Sequence, residues 1–282
     1  MAHGGILQEV APLDGATMKV ERMFRWSGQA LGVVTWISSG LFGIYMLVFY
    51  AGSLAAGHAA RWNQVLPGLY SESGRVSTAG MGMHFAAGGV ILALGFIQLL
   101  GAVRARTPAL HRWLGRIYVS AGAVAGIGGL SFIAFTGTIG GRVMDIGFGV
   151  YGVLMLVAAA QTYRYARMRV TALHRAWALR LFALAIGSWL YRMEYGLWFM
   201  ATHRLGHTGD FRGLFDVIMA FLFYLPNLLV VELYLRGGSR RAGFGLKLAA
   251  ASVMAMATCM LMLATYFFAT MYWWPAMMGR PA

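Results

Sequence analysis

The sequence predicts an all-α integral membrane protein with about seven transmembrane helices, and three observations support this fold class. Of the 282 residues, 59% are hydrophobic and only 11% are charged, whereas a soluble domain carries about 25% charged residues. The basic residues stand in short clusters between long apolar runs, which is typical of membrane proteins. These runs do not alternate polar and apolar residues, so a membrane β-barrel is excluded.

Seven apolar stretches are long enough to cross a hydrocarbon layer of about 30 Å as helices. They cover residues 30–52, 80–103, 113–136, 143–163, 176–200, 214–235 and 246–272. Residues 1–29 then form an N-terminal tail, residues 30–272 the transmembrane domain, and residues 273–282 a short C-terminal tail. Because the N-terminal tail is mixed and polar, it is not predicted to be a cleavable signal peptide.

The distribution of Lys and Arg predicts the orientation. Sixteen of the 23 basic residues lie before the first span, in the loops after the second, fourth and sixth spans, or within the first five residues of the span that follows such a loop. The positive-inside rule places these segments in the cytoplasm, so the N-terminus is predicted to be cytoplasmic and the C-terminus outside. Because the net charge of +14 is confined to such clusters, we expect membrane lipids as partners and no nucleic acid.

An internal duplication organises the middle of the chain. A shift of 63 residues aligns Gln98 with Gln161 and Ala-Leu-His-Arg at 109–112 with the same residues at 172–175. The period contains two spans, so both copies cross the membrane in the same sense, as in parallel repeats. The copies cover about 84–136 and 147–199, and together they predict a central four-helix core made of a parallel duplicated helix pair.

The motifs of both copies resemble an uncharacterised bacterial family of polytopic membrane proteins, a domain of unknown function. The residues that carry the resemblance are Met83, His84, Phe85, Gly88, Gly95, Gln98, Arg106, Leu110, His111, Arg112, Gly115, Arg116 and Tyr118, then His174, Arg175, Arg180 and Arg192. The resemblance covers roughly residues 60–235. It implies a multi-pass protein of the bacterial inner (plasma) membrane and no established activity.

The duplicated histidines point to a cofactor. His111 and His174 are expected at equivalent depths at the cytoplasmic end, where both could ligate one b-type haem, with Arg112 and Arg175 pairing its propionates. The plan is similar to the four-helix core of the cytochrome b561 type. The same residues also fit an anion or lipid site, or plain interfacial anchoring.

A second polar group is predicted toward the outer face, formed by His84, Arg192 and Glu194. Ionisable residues within a membrane are costly and suggest function, here a pocket for a quinone headgroup, a proton or a metal. The alternative is a structural salt bridge. In such a salt bridge, the candidate partners of Arg192 are Glu194, Asp145 and Asp216.

Three functions follow from these patterns. The symmetric histidines favour a single-haem b-type electron-transfer protein with a quinone or another redox partner. A transporter or permease would place its path along Gln98, Gln161, Asn227 and the His84 and Arg192 group. A lipid-binding structural or assembly subunit of a larger membrane complex is the third. The familiar catalytic motifs are absent from the sequence, which leaves open whether the protein is an enzyme.

Overall fold

The computed structural model describes residues 15–64, 70, 85, 88–92, 94–95 and 97–279, and this part of the chain is helical without strands. The all-α prediction is therefore confirmed. The described α-helices of six or more residues are α1 (Gly15–Met46), α2 (Gly88–Leu99), α3 (Gly101–Arg106), α4 (Pro108–Thr136), α5 (Arg142–Arg167), α6 (Thr171–Ala185), α7 (Gly187–Thr202), α8 (Leu214–Leu222), α9 (Leu225–Gly237) and α10 (Phe244–Phe268). Helices α1 and α10 continue through π-helical turns, Leu47–Ala51 and Ala269–Trp273.

Five of the described helical stretches are long and apolar enough to cross a membrane, with mean hydropathies of 1.7 to 2.1. They are Gly15–Ala55, Pro108–Phe135, Arg142–Arg167, Leu214–Gly237 and Phe244–Met277. The predicted second span corresponds to the shorter apolar helix α2, and the predicted fifth span to α6 and α7 together. Each predicted span thus has a helical counterpart, as an integral membrane protein requires.

The predicted N-terminal tail differs from the structure, because residues 15–29 already belong to α1. Phe24 is buried and stacks on Tyr234 of α9, with 5.7 Å between the ring centroids. Glu21 forms an ion pair with Lys247 at the start of α10. These contacts extend the first helix beyond its apolar segment, since they give its polar first half partners on two other helices.

Helix α1 packs along α10, while α5 lies between α4 and α6 and also contacts α8. Helix α9 joins the two halves through contacts with α6 and α10. The starts of α1, α6 and α10 meet around Tyr234, which also accepts a 3.0 Å hydrogen bond from Arg175. We call this the histidine end, because His111 and His174 lie there; the opposite end carries the 203–213 loop.

Two of the predicted spans are interrupted helices. Helices α8 and α9 are separated at Phe223 and Tyr224, just before Pro226, whose ring and missing N–H disrupt helical hydrogen bonding. Asn227 donates a 2.9 Å hydrogen bond to the carbonyl oxygen of Phe223, which stabilises the break. Helices α6 and α7 are separated by Ile186 alone.

The two tryptophans near the C-terminus have different surroundings. Trp273 is 4% exposed and lies 5.5 Å, centroid to centroid, from the ring of Phe42 on α1. Trp274 is 62% exposed and suits a membrane interface. One residue of rotation along the helix, about 100°, is enough to separate a core residue from an interfacial one.

Candidate functional site

His111 lies in the first turn of α4, which begins at Pro108, a residue that favours the first helical position. When the side-chain amide of Gln98 on α2 is oriented so that its oxygen accepts from the backbone N–H of Gly115 (3.2 Å), its nitrogen donates to Nδ1 and to the carbonyl oxygen of His111, each at 3.2 Å. An acceptor at Nδ1 leaves the proton on Nε2. In this orientation Gln98 fixes His111 as a hydrogen-bond donor toward its remaining neighbours.

His174 has the opposite ring arrangement. Its Nδ1 lies 3.0 Å from the carbonyl oxygen of Thr162, so Nδ1 carries the proton and Nε2 is an acceptor. A metal-ligating histidine commonly has this arrangement. His174 also lies close enough to His111 for the two rings to interact electrostatically. The fit to haem is therefore partial: His174 presents Nε2 as an acceptor, whereas His111 does so only when the Gln98 amide is turned the other way, and the bis-histidine haem stays a prediction.

The two arginines predicted to accompany the haem are not equivalent. Arg175 is held by Tyr234, whose hydroxyl accepts its hydrogen bond and whose ring lies 5.6 Å from the guanidinium carbon. Arg112 is exposed at the surface of the bundle. The neighbouring Arg180 donates a 2.6 Å hydrogen bond to Glu232 on α9. In the second repeat copy the basic residues thus join α6 to α9.

The first residue of the predicted outer group, His84, lies outside the described residues. Its counterpart by the 63-residue shift is Gly147 on α5, where an added Cβ would overlap the carbonyl oxygen of Ala220. Helices α5 and α8 approach too closely at this point for any side chain. A second symmetric histidine pair is therefore sterically impossible at this repeat position.

The structure does not bring Arg192 and Glu194 together. They are two residues apart on α7, which rotates them by about 200° relative to one another. Oε2 of Glu194 is buried without a partner among the described residues. The other two salt-bridge candidates are engaged elsewhere: Asp145 accepts from the backbone N–H of Thr138, and Asp216 from donors at the start of α8.

Arg192 instead lines a pocket between α1, α2 and the α6–α7 break, which we call the arginine pocket. Its walls are mainly apolar and aromatic. The described lining residues are Phe42, Met46, Phe85, Gly88, Leu92, Ala185, Ser188, Trp189 and Arg192. By the repeat, Gly88 is the counterpart of Tyr151, so the first copy has an open space where the second has a large ring.

One buried donor of the arginine pocket, the indole N–H of Trp189, is unsatisfied, and the charged Arg192 lines the same pocket. Trp189 is 1% exposed, and its Nε1 has no acceptor in the part of the chain that is described. Arg192 donates a 2.7 Å hydrogen bond to the carbonyl oxygen of Ser188, yet no described carboxylate forms a salt bridge with it. Buried donors normally find acceptors, and the positive end of a 16-residue helix, α7, adds to the local field.

The floor of the pocket is formed by the helix break itself. The hydroxyl of Tyr151 donates a 2.7 Å hydrogen bond to the carbonyl oxygen of Leu184. In a continuous helix, Ser188 would donate to Leu184 directly. Tyr151 therefore replaces one helical hydrogen bond, which is a recognised cause of a kink.

A polar cluster at the opposite end is tied together by Asp216, which is fully buried at the start of α8. Its carboxylate accepts hydrogen bonds from the Tyr195 hydroxyl (2.8 Å), His207 Nδ1 (2.7 Å) and the backbone N–H groups of Thr208 and Gly213 (both 3.0 Å). Four donors offset the cost of burying this charge. The cluster closes the 203–213 loop against α7.

Within that loop, Asp210 is exposed to solvent. The Thr208 hydroxyl donates a 2.6 Å hydrogen bond to it, which lowers the pKa of this carboxyl. Arg212 lies 3.7 Å away and acts in the same direction. Because the group is exposed, this arrangement organises the loop tip and contributes little to overall stability.

The residues proposed for a transport path are separated in the structure. Gln98 is bonded to His111 and Gly115 at the histidine end, and Asn227 is bonded to its own helix at the break before α9. Oε1 of Gln161 is buried without a described partner. A common path along these side chains stays a prediction.

Some of these features could be predicted from the sequence and others could not. Asp216 stands three residues after Gly213 at the start of an apolar run, and an acidic residue at this helix position often bonds back to the cap, so it could have been recognised. Trp189 carries no such signal, since a tryptophan in an apolar helix is ordinary. Its missing acceptor becomes visible only when the surrounding helices are in place.

A family model described as "Predicted membrane protein (DUF2306)" matches residues 81–235 of the chain. The matched region runs from just before α2 to the end of α9 and contains both histidines, the α6–α7 break and Arg192. No curated protein and no solved structure matches the chain. The family description agrees with the helical membrane fold and assigns no activity.

Proposed function

The chain belongs to the DUF2306 family of membrane proteins, and we propose that it binds an anionic amphiphile in the arginine pocket. The observation that carries the proposal is Arg192, a charged donor without a described carboxylate partner in an otherwise apolar pocket. An oxygen anion on an apolar tail has the complementary chemistry, because charge-assisted hydrogen bonds are stronger than neutral ones. Lipid phosphate and fatty-acid carboxylate share this chemistry.

The walls of the pocket suit the rest of such a ligand. Phe42 and Trp189 are stacked with 6.3 Å between their centroids, and Phe85 and Leu92 add apolar surface from α2 and its start. Trp189 Nε1 offers a second donor to the head group. Mainly apolar walls with a few polar groups are the lining that small-ligand sites usually have.

Binding can be measured on the full-length protein in a neutral maltoside detergent by isothermal titration with three probes: dodecyl phosphate, dodecanoate and a decyl-substituted benzoquinone. We expect both anions to bind, and Arg192→Gln to weaken them about 10- to 100-fold, since it removes an interaction of about 1.5–3 kcal/mol. Trp189→Phe, which keeps the ring surface, should weaken them less.

Arg204→Gln is the matched control, because Arg204 is an exposed arginine in the 203–213 loop, over the ring of Phe199 and outside the pocket. It should bind like the wild type. Comparing the affinities for the two anions shows whether the pocket prefers a phosphate or a carboxylate head group. Wild-type affinity in Arg192→Gln, or binding of the neutral quinone alone, would contradict the proposal.

Haem ligation at the histidine end is the second candidate, favoured by the ring arrangement of His174. Protein purified from a haem-sufficient host should then show a Soret band. The band should be lost in His111→Ala and in His174→Ala. Colourless protein from such a host rules out the haem and leaves the amphiphile proposal unaffected.

A further inference from the structure

The arginine pocket is lined by a glycine at the start of α2. Gly88 and Leu92 both line the pocket, and Phe85, three residues before Gly88, lines it as well. Residues three and four apart lie on the same face of a helix, so a side chain at position 88 would point into the pocket. A Cβ added to Gly88 would meet no atom within 4 Å.

Neither the backbone nor the packing requires a glycine at this position. Gly88 is helical and is not among the glycines with a positive φ angle. No neighbour approaches it as Phe182 approaches Gly95 on the same helix, where an added Cβ would lie 3.0 Å from the ring. Because glycine within a helix is less favourable than alanine, the missing side chain at position 88 costs stability without serving the fold.

The second repeat copy shows what a large side chain does at this position. The shift of 63 residues aligns Gly88 with Tyr151 on α5. The ring centroid of Tyr151 lies 4.9 Å from that of Phe223 and 5.6 Å from that of Tyr224. A Cβ added to Gly187, at the start of α7, would lie 3.5 Å from the Tyr151 ring. In the second copy, an aromatic ring thus fills the space beside the break between α6 and α7.

Gly88 faces the same break as Tyr151 does. It lines the pocket together with Ala185, the last residue of α6, and Ser188, in the first turn of α7. Arg192 follows one turn later on α7 and lines the same pocket. Where the second copy has a ring beside the break, the first copy therefore has open space in the pocket that Arg192 lines.

We propose that Gly88 is a specificity-determining residue of the arginine pocket: its missing side chain leaves the space that the head group of a ligand occupies beside Arg192. A longer side chain at position 88 would fill this space, because closely packed interiors do not hold both. The pocket would then admit only smaller head groups. The inference rests on the proposed function for the kind of ligand, whereas the opening of the pocket can be measured without any ligand.

The first measurement uses a thiol placed in the pocket by Ser188→Cys, in the full-length protein with Cys259→Ala. Its reaction with methyl methanethiosulfonate is followed by mass spectrometry: the thiolate attacks the reagent, a methyl disulfide forms and methanesulfinate leaves. We expect the reaction to slow in the order Gly88→Ala, Gly88→Leu, Gly88→Tyr, by at least about tenfold in the last, because access to the thiol limits such reactions. Ser239→Cys, in the exposed turn between α9 and α10, is the matched control and should react equally in all backgrounds.

The second measurement is the binding of dodecyl phosphate by isothermal titration. The affinity should fall in the same order, by at least about tenfold in Gly88→Tyr, since the added bulk separates the head group from its charged partner. Gly149→Tyr is the control for adding a tyrosine to the bundle, because Gly149 lies outside the pocket and a Cβ there meets no atom within 4 Å. This control should bind like the wild type. Circular dichroism shows whether each variant is folded.

A slower thiol reaction and weaker binding in both bulky variants support the proposal, and Gly88→Leu alone suffices should Gly88→Tyr not fold. If the wild type binds neither anion, the proposed function fails, whereas the thiol reaction still decides whether Gly88 opens the pocket. An unchanged reaction at Ser188→Cys in Gly88→Leu and Gly88→Tyr overturns the proposal. So does an unchanged affinity for dodecyl phosphate in these variants when the wild type binds it.

Discussion

The hydroxyl of Tyr151 donates a 2.7 Å hydrogen bond to the carbonyl oxygen of Leu184, two residues before the break between α6 and α7. A side chain from α5 therefore sets the geometry of a neighbouring helix. The repeat counterpart of Tyr151 is Gly88, and the counterpart of the broken helix, α4, runs unbroken for 29 residues. The second copy thus has a tyrosine beside an interrupted helix, whereas the first copy has a glycine beside a continuous one.

Tyr151→Phe should lower the free energy of unfolding by about 1–3 kcal/mol, because it leaves the Leu184 carbonyl oxygen without its donor. The measurement is unfolding in mixed detergent micelles followed by circular dichroism. Tyr163→Phe is the control, since its hydroxyl is exposed and accepts only a 3.3 Å bond from Arg167. Equal stability of the two variants would show that the hydrogen bond from Tyr151 does not stabilise the interrupted helix.

Asp216→Asn should destabilise the 203–213 loop by about 2–4 kcal/mol. The amide replaces a carboxylate that accepts four hydrogen bonds, so at least one buried donor faces another donor. Hydrogen exchange at the backbone of residues 203–213 is the measurement, and it should accelerate. Asp210→Asn, at the exposed loop tip, is the control. Unchanged exchange in Asp216→Asn would mean that the cluster does not hold the loop.

Gly147→Ala should destabilise the protein by about 1–3 kcal/mol, because the new Cβ overlaps the Ala220 carbonyl oxygen and forces α5 away from α8. Gly149→Ala is the control on the same helix, since an added Cβ there meets no atom within 4 Å. Thermal unfolding in detergent should separate the two variants. A stable Gly147→Ala protein would show that α5 and α8 do not pack closely at this point.

Orientation can be tested with single cysteines in a Cys259→Ala background. Ser239→Cys lies in the exposed turn between α9 and α10, and Gly209→Cys in the exposed 203–213 loop at the opposite end. With the N-terminus in the cytoplasm, an impermeant maleimide added to intact cells should label position 209 and not position 239. The reverse pattern would invert the predicted topology.

Much of the fold was readable from composition and periodicity. Every predicted span has a helical counterpart, because a hydrocarbon layer forces long apolar segments into helices whatever their neighbours are. The helical conformation of residues 15–29 was missed, since this polar first half of α1 is ordered by contacts with Tyr234 and Lys247 from distant parts of the chain. The interruption before Pro226 was recognisable from the proline itself.

The candidate site could be predicted from the sequence less completely than the fold. The repeat identified His111 and His174, but not that Gln98 and the Thr162 carbonyl give the two rings opposite proton positions. It also grouped Arg192 with Glu194, which face different sides of one helix. Hydrogen-bond partners depend on how neighbouring helices are rotated and on how deep they lie in the bundle. Apolar residues of many kinds can pack into the same arrangement, so the sequence of a helix does not predict these partners.

The sequence by itself determined that this is a multi-pass helical membrane protein with a duplicated pair of Leu-His-Arg motifs, because burial in lipid is a local property of each segment. Only the tertiary structure decided that Tyr151 interrupts the helix between α6 and α7. It also decided that Trp189 and Arg192 line one pocket, in which the indole N–H of Trp189 has no described acceptor. The physical reason is that an unsatisfied donor is a property of the surroundings of a residue. Those surroundings exist only after the helices have packed.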